Sequence, residues 1–315
     1  MPEVVTLGEA MVVFNPSDYL PLDYVHSFTK GMAGAEANFS IGIARLGHEV
    51  GWISRVGDDP FGRFILKSLR GEGVDISRVK VDVEHPTGVY FKEKKSARNI
   101  NVYYYRKGSA ASFMSSEDLD EGYIASAKLL HITGITPALS SSCRDAVYRA
   151  MQIAKKNGVM VSFDPNIRLK LWSIEECRKT LLDIARYADI VLPGQEEGRL
   201  LLGTDSPEEI AKSFLDIGAK TVVVKLGPEG AMAMTDNETV YDSAPDVPVV
   251  DTVGAGDGFA AGFIAGVLNG WDIKRCLRLA NDVGSMVVAS NGDVEGLPTM
   301  EEVEVFRGTI KKVDR

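Results

Sequence analysis

Cysteine is scarce in this 315-residue chain: Cys143, Cys177 and Cys276 stand far apart and form no C-x-x-C pair. The odd total and the wide spacing argue against a disulfide framework or a thiolate zinc site, and fit a reducing compartment. Histidine is equally sparse. His26, His48, His85 and His131 show no H-E-x-x-H or comparable metal spacing, so each reads as a packing or surface residue. Basic charge is in deficit, 35 Lys and Arg against 44 Asp and Glu, for a net charge of −9. That balance argues against nonspecific binding to nucleic acid or to an anionic membrane. It still permits an anionic small substrate, which needs only one or two local arginines. No apolar run reaches membrane-spanning length. Met1-Pro2-Glu3 opens without a basic n-region or an apolar h-region, so a cytoplasmic location is expected. The chain also lacks G-x-x-x-x-G-K-[ST], H-R-D and D-F-G, which excludes a P-loop NTPase and a protein kinase. After the first apolar run stands Leu7-Gly8-Glu9-Ala10 in place of G-x-G-x-x-G, which argues against a Rossmann dehydrogenase.

What is present is ordinary globular material, 45% hydrophobic and 25% charged, enough for a sizeable core. Short β-rich runs (Val4–Leu7, Val50–Val56, Leu129–Thr133, Val159–Phe163, Ile190–Leu192, Thr221–Lys225) alternate with helical patterns. The helical patterns cover Ala35–Leu46, Phe61–Leu69, Arg144–Lys156, Glu208–Leu215 and Lys274–Ala289. The alternation predicts an α/β fold with a mostly parallel central sheet and helices on both faces. Residues 1–315 read as a single α/β domain. Two segments, about 11–30 and 87–109, break the pattern and read as a small accessory β-sheet, with charged Lys92–Arg98 as a hairpin turn.

The richest run is Asp251-Thr252-Val253-Gly254-Ala255-Gly256-Asp257, followed by a small-residue helical stretch, Gly258–Leu268. Glycines let backbone approach a ligand closely, and a helix start presents free N–H groups suited to an anion. Asp257 at that point sets a proton acceptor beside an anion hole formed by Gly254, Ala255 and Gly256. Phosphoryl transfer to an alcohol needs that pair of features. A plain tight turn with Asp257 as a helix cap is the other reading of the same residues.

Residues two apart on a strand share a face, so Tyr104 and Arg106 point one way, and Tyr90 on the preceding strand can join them. Two phenols and a guanidinium suit an organic acid with several hydroxyls; ordinary cross-strand aromatic packing would give the same pattern. Asp164-Pro165-Asn166-Ile167-Arg168 follows the Val159–Phe163 strand, at the end where open α/β sheets place ligands. Arg168 there can meet a substrate carboxylate or a phosphate. Ala33-Gly34-Ala35 precedes a helix and can bring backbone N–H groups to a ligand, while Asn38 one turn in hydrogen-bonds a ligand or braces the loop.

The two runs Asp251–Asp257 and Ala33–Ser40, the latter followed by Gly47 and Gly57, together resemble both signatures of the PfkB (ribokinase-like) carbohydrate kinase family. The resemblance spans Val4 to about Pro298. Tyr104-Tyr105-Arg106 followed by Gly108–Ser112, with Asp164–Arg168 and Leu171-Trp172, is similar to the branch acting on 2-keto-3-deoxygluconate. The resemblance implies a ribokinase-like fold whose small sheet is a lid over the sugar. It further implies a homodimer or higher homo-oligomer through that lid. It implies ATP-dependent phosphorylation of a sugar acid's terminal primary hydroxyl, with Asp257 as general base. Gly34, Asn38, Tyr90, Tyr104, Arg106 and Arg168 would contact the sugar. Asn166, Lys225, Gly227, Gly230, Gly254, Gly256 and Asn281 would serve ATP. Mg2+ would be organised through water by Glu197. Here the chain departs from the family: Gly194 stands where Asn precedes that acid in many members. A fructokinase or other neutral-sugar kinase, and a sugar-binding protein without catalysis, are the competing expectations.

Overall fold

Thirteen strands form two sheets in the computed structural model, which describes residues 1–96 and 99–310. They are β1 (Val4–Leu7), β2 (Met11–Pro16), β3 (Phe28–Ala33), β4 (Val50–Gly57), β5 (Val79–Asp82), β6 (Val89–Ser96) and β7 (Asn99–Tyr105). β8 (Leu129–Thr133), β9 (Met160–Asp164), β10 (Ile190–Val191), β11 (Thr221–Lys225), β12 (Ala231–Met234) and β13 (Thr239–Asp242) complete them. The large sheet runs β13-β12-β11-β10-β9-β8-β1-β4-β5. All its pairings from β11 to β5 are parallel, and β12 and β13 close the other edge antiparallel.

The apolar strand runs are continuous because both faces are covered. Val4, Leu129, Ile190 and Val223 enter one core, with the Ala35–Arg45, Ala255–Leu268 and Ile273–Val288 helices. Their chain neighbours Val5, Leu130, Val191 and Val222 enter the opposite core, with the Ser141–Lys156, Ile174–Ala185 and Pro207–Ile217 helices. Alternate side chains thus feed alternate layers, as the pleat requires. The small residues of Ala255–Leu268 let it lie against Ile273–Val288: a Cβ on Gly262 would come within 2.9 Å of the Ala280 Cα.

β1 is flanked by β4 on one side and β8 on the other, so the chain reverses direction across the sheet there. Open α/β sheets bind ligands in the crevice at such a switch, beyond the carboxyl ends of the strands. Glu9, Asp164, Gly194 and Lys225 all stand at or just past those ends.

The two pattern-breaking segments build the second sheet, ordered β3-β2-β6-β7. One expectation is corrected: Lys92–Ser96 is not part of a turn but belongs to β6, and the rest of the expected turn, 97–98, lies outside the described residues. Lys92 is 1% exposed. Its charge suggested solvent because the buried carboxylates that receive it are far off in sequence.

Candidate active site

The Ala255–Leu268 helix begins at Gly254, whose φ of 80° is left-handed. The N–H groups of Gly254, Gly256 and Asp257 have no backbone partner among the described residues, as expected at a helix start. They open into a cleft of about 440 Å³ at the carboxyl ends of the strands. Asp257 sits on its floor. Its Oδ2 accepts from Asn38 Nδ2 at 2.8 Å, and its Oδ1 accepts from Asn166 Nδ2 at 3.3 Å. Burial pushes the Asp257 carboxyl up to about 7, opposed by the Asn38 hydrogen bond and assisted by the Asp164 charge. That value suits a proton acceptor near neutral pH.

Asn38 therefore braces Asp257 and lines the same cleft, and its Oδ1 is buried without a hydrogen-bond partner among the described residues. Asn166 does the same from the other side. Its backbone takes φ 37°, and its N–H donates to Asp164 Oδ1 at 3.2 Å. Non-glycine residues rarely enter that region, and Asn is among those that tolerate it.

Below lies an ion cluster. Lys225 Nζ donates to both Asp164 oxygens, at 2.9 and 2.8 Å. Burial alone would lower the Lys225 ammonium, but the Asp164 and Glu197 charges outweigh it and raise its pKa. Glu197 is held by two backbone donors, Ile167 N–H at 2.9 Å and Gly194 N–H at 2.7 Å. Burial raises its carboxyl above the usual range. With Gly194 bare, its own N–H caps the Glu197 carboxylate.

The sugar-side residues also converge. Tyr90 pairs with Tyr104 across β6 and β7, and both line the cleft with Gly34, Arg106 and Arg168. Gly34 has φ 150°, and a Cβ there would meet the Glu9 carbonyl oxygen at 2.4 Å. Arg106 is already engaged: Nε donates to Glu9 Oε2 at 2.7 Å, and Nη2 pairs with the same oxygen. Glu9 also accepts from Ser109 Oγ at 2.5 Å. Arg168 is exposed, and among the described residues its side chain bonds only its neighbour's carbonyl, Ile167 O, at 3.0 Å.

The nucleotide-side residues divide into two groups. Lys225, Gly254 and Gly256 line the cleft. Gly230 and Asn281 do not line it and instead meet at Asp242. A Cβ on Gly230 would touch Asp242 O at 2.1 Å, and Asn281 Nδ2 donates to that carbonyl at 2.9 Å. Gly227 lies at the exposed turn between β11 and β12, and Ala255 is partly buried in the helix start.

Sequence reading missed Glu9 and Asp293, which also line the cleft. Leu7-Gly8-Glu9-Ala10 drew notice only as the place where a dinucleotide motif is missing. His131, in contrast, is the expected packing residue. It stacks on Phe39 at 3.8 Å, and burial lowers its imidazole to about 3.

A buried carboxylate on a helix start, free backbone donors beside it and a polar cleft under a small sheet fit a kinase for small hydroxylated substrates. Residues 1–300 match the pfkB family carbohydrate kinase profile, and the chain belongs to that family. It is 44% identical over 307 residues to a Bacillus subtilis 2-dehydro-3-deoxygluconokinase, covering 96% of this chain and 95% of that one. A Thermoproteus tenax 2-dehydro-3-deoxygluconokinase is 41% identical over 308 residues, covering 96% and 94%. An E. coli protein solved in complex with ATP and Mg2+ superposes with a TM-score of 0.92 at 34% identity, covering 98% of this chain and all of that one. Among the described residues no helix is long and apolar enough to cross a membrane.

Proposed function

We propose that the protein transfers the γ-phosphoryl group of ATP to the terminal primary hydroxyl of 2-keto-3-deoxygluconate (2-dehydro-3-deoxygluconate), giving the 6-phosphate. The observation that carries this is Asp257, held between Asn38 and Asn166 at the mouth of a helix N-terminus. Its carboxylate takes the hydroxyl proton as the new O–P bond forms and the bond to the ADP oxygen breaks. The N–H groups of Gly254, Gly256 and Asp257 receive the charge on the transferring group, while the Ala255 N–H is taken by the Thr252 carbonyl. Tyr90, Tyr104 and Asn38, which line the cleft, meet the sugar's hydroxyl and keto groups.

Lys225, Gly227, Gly230 and Asn281 would serve the nucleotide. Magnesium prefers octahedral oxygen shells rich in water, and bound with ATP it would offset charge on the phosphates. The residues here fit a metal carried by the nucleotide. No group of three or more His, Cys, Asp or Glu among the described residues is arranged to hold one, and both Glu197 oxygens already accept backbone N–H bonds. Glu197 would therefore act through water. Exposed Tyr103 and Tyr105 on β7 support self-association through the small sheet, with each copy's lid covering its own sugar.

One observation favours a neutral-sugar kinase instead: the Arg106 charge is already balanced by Glu9. Recognition of a carboxylate then falls chiefly on Arg168. An ATP-consumption assay across sugar acids and sugars decides between them. Turnover on 2-keto-3-deoxygluconate well above that on fructose supports the proposal, and the reverse order rejects it.

A further inference from the structure

Among the described residues Lys92 is the largest buried charged side chain, and it has two partners. Its Nζ lies 2.9 Å from Asp293 Oδ1 and 3.5 Å from Asp251 Oδ2. All three residues are buried, at 1%, 4% and 6% exposure. Burying an unpaired charge is costly, so one ammonium between two carboxylates is a committed arrangement.

Each carboxylate is tied to the loop that opens the anion hole. Asp251 begins that loop, and its Oδ1 accepts from Val253 N–H at 3.1 Å. The Asp293 backbone packs on Gly254 so tightly that a Cβ there would meet the Asp293 carbonyl oxygen at 2.5 Å. From the same face of β6, two residues before Lys92, Tyr90 OH donates to the other Asp293 oxygen at 3.0 Å. One strand of the small sheet thus reaches the sugar cleft and the base of the phosphoryl-binding loop through the same aspartate.

The geometry points to Lys92 as a positioning residue: its ammonium is a built-in cation that holds the 251–256 loop in its phosphoryl-binding shape. Without it, two carboxylates would face each other with no counter-charge beneath the N–H groups that must receive an anion. The loop would move, and the transition state would lose more than the bound sugar, because the sugar is held by other residues. The protein supplies the cation itself, so turnover needs no small monovalent ion from solution. This inference rests on the kinase reading above.

The test begins with the unaltered enzyme. Its kcat should be the same, within about twofold, in choline, sodium or potassium chloride at about 0.1 M ionic strength. Strong dependence on one small cation would show that the carboxylates recruit an outside ion, and would overturn the inference. No turnover on any sugar in any salt would instead reject the kinase reading. Lys92→Ala should lower kcat by roughly 10- to 100-fold with a smaller change in sugar KM, and potassium or methylammonium should restore part of it. Lys92→Arg should keep more activity than Lys92→Met, whose side chain fills the space without charge. Hydrogen exchange of the Val253–Asp257 amides should accelerate in Lys92→Met in the absence of any substrate. Unchanged kcat in Lys92→Ala, or a loss that neither cation nor arginine relieves, would reduce Lys92 to a packing residue. If the alanine variant does not fold, the salt comparison on the unaltered enzyme still decides.

Discussion

Asn38 and Asp257, 219 positions apart, are joined by a 2.8 Å hydrogen bond from the amide Nδ2 to the carboxylate Oδ2. The bond links the glycine turn on one side of the cleft to the helix start on the other. It also moderates the base: burial pushes the Asp257 carboxyl up to about 7, and Asn38 is the first influence drawing it down.

The pH profile follows with a definite sign. Asp257 must be ionised to accept a proton, so kcat/KM should climb with pH through about 7 and level off above it. Asn38→Ala removes a donor to the charged form and should move that limb upward by about one pH unit. A limb that stays put or moves down would contradict the arrangement. Stability runs the other way. The folded carboxyl lies above its usual 3.8, so the unfolded chain ionises first, and Asp257 detracts increasingly from stability as pH rises from 3.8 to about 7.

Arg106 and Glu9 behave as a unit. Arg106→Ala strands a buried carboxylate and should cost about 3–5 kcal/mol, seen as a large fall in melting temperature. Adding Glu9→Gln in the same protein should recover much of that loss. Arg168→Ala should leave the melting temperature nearly unchanged, since Arg168 is exposed. It should raise KM for the sugar acid by about ten- to a hundred-fold while sparing a neutral sugar. Equal effects on both substrates would favour the neutral-sugar reading.

Gly34 in the cleft and Gly194 behind Glu197 should respond differently to alanine. Gly34→Ala forces a Cβ to 2.4 Å from the Glu9 carbonyl oxygen at φ 150°, so folding or sugar binding should fail. Gly194 has φ −89°, and a Cβ there meets only Glu197 Oε2, at 3.6 Å. Gly194→Ala should therefore fold with an unchanged melting curve, and Gly194→Asn should also be accommodated. Thermal melts of both alanine variants check the contrast.

The strand runs, the helix that starts at Gly254 and the shared cleft of Tyr90, Tyr104 and Arg106 were all legible, because each depends on period or on residues close in sequence. What stayed hidden depends on distant pairing. Lys92 lies 201 positions from Asp293, and within Lys92-Glu93-Lys94-Lys95 it reads as solvated charge. Glu9 is 97 positions from Arg106, so a guanidinium that looked free for substrate is partly committed within the protein. Asn166 was expected beside ATP, and only the left-handed turn after Pro165 directs its amide to Asp257. Strands β12 and β13 were not anticipated either: they are short, with glycine and polar residues at their ends.

Closure of the small sheet should answer to the sugar. Tyr104 is 39% exposed. Sugar acid alone should slow amide exchange in Tyr103–Arg106 more than ATP alone, because a ligand shifts a closed state only through contacts made in that state. Equal protection by ATP would withdraw Tyr90, Tyr104 and Arg106 from the sugar side.

The most direct test of the account is turnover by Asp257→Asn. The replacement is isosteric and removes a buried charge, so the protein should fold, melt slightly higher at pH 8 and bind sugar with nearly the same KM. If the carboxylate takes the hydroxyl proton, kcat falls by roughly 10²- to 10⁴-fold. A folded Asp257→Asn enzyme with near-normal kcat would contradict the assignment of the base, and with it the reading of the cleft.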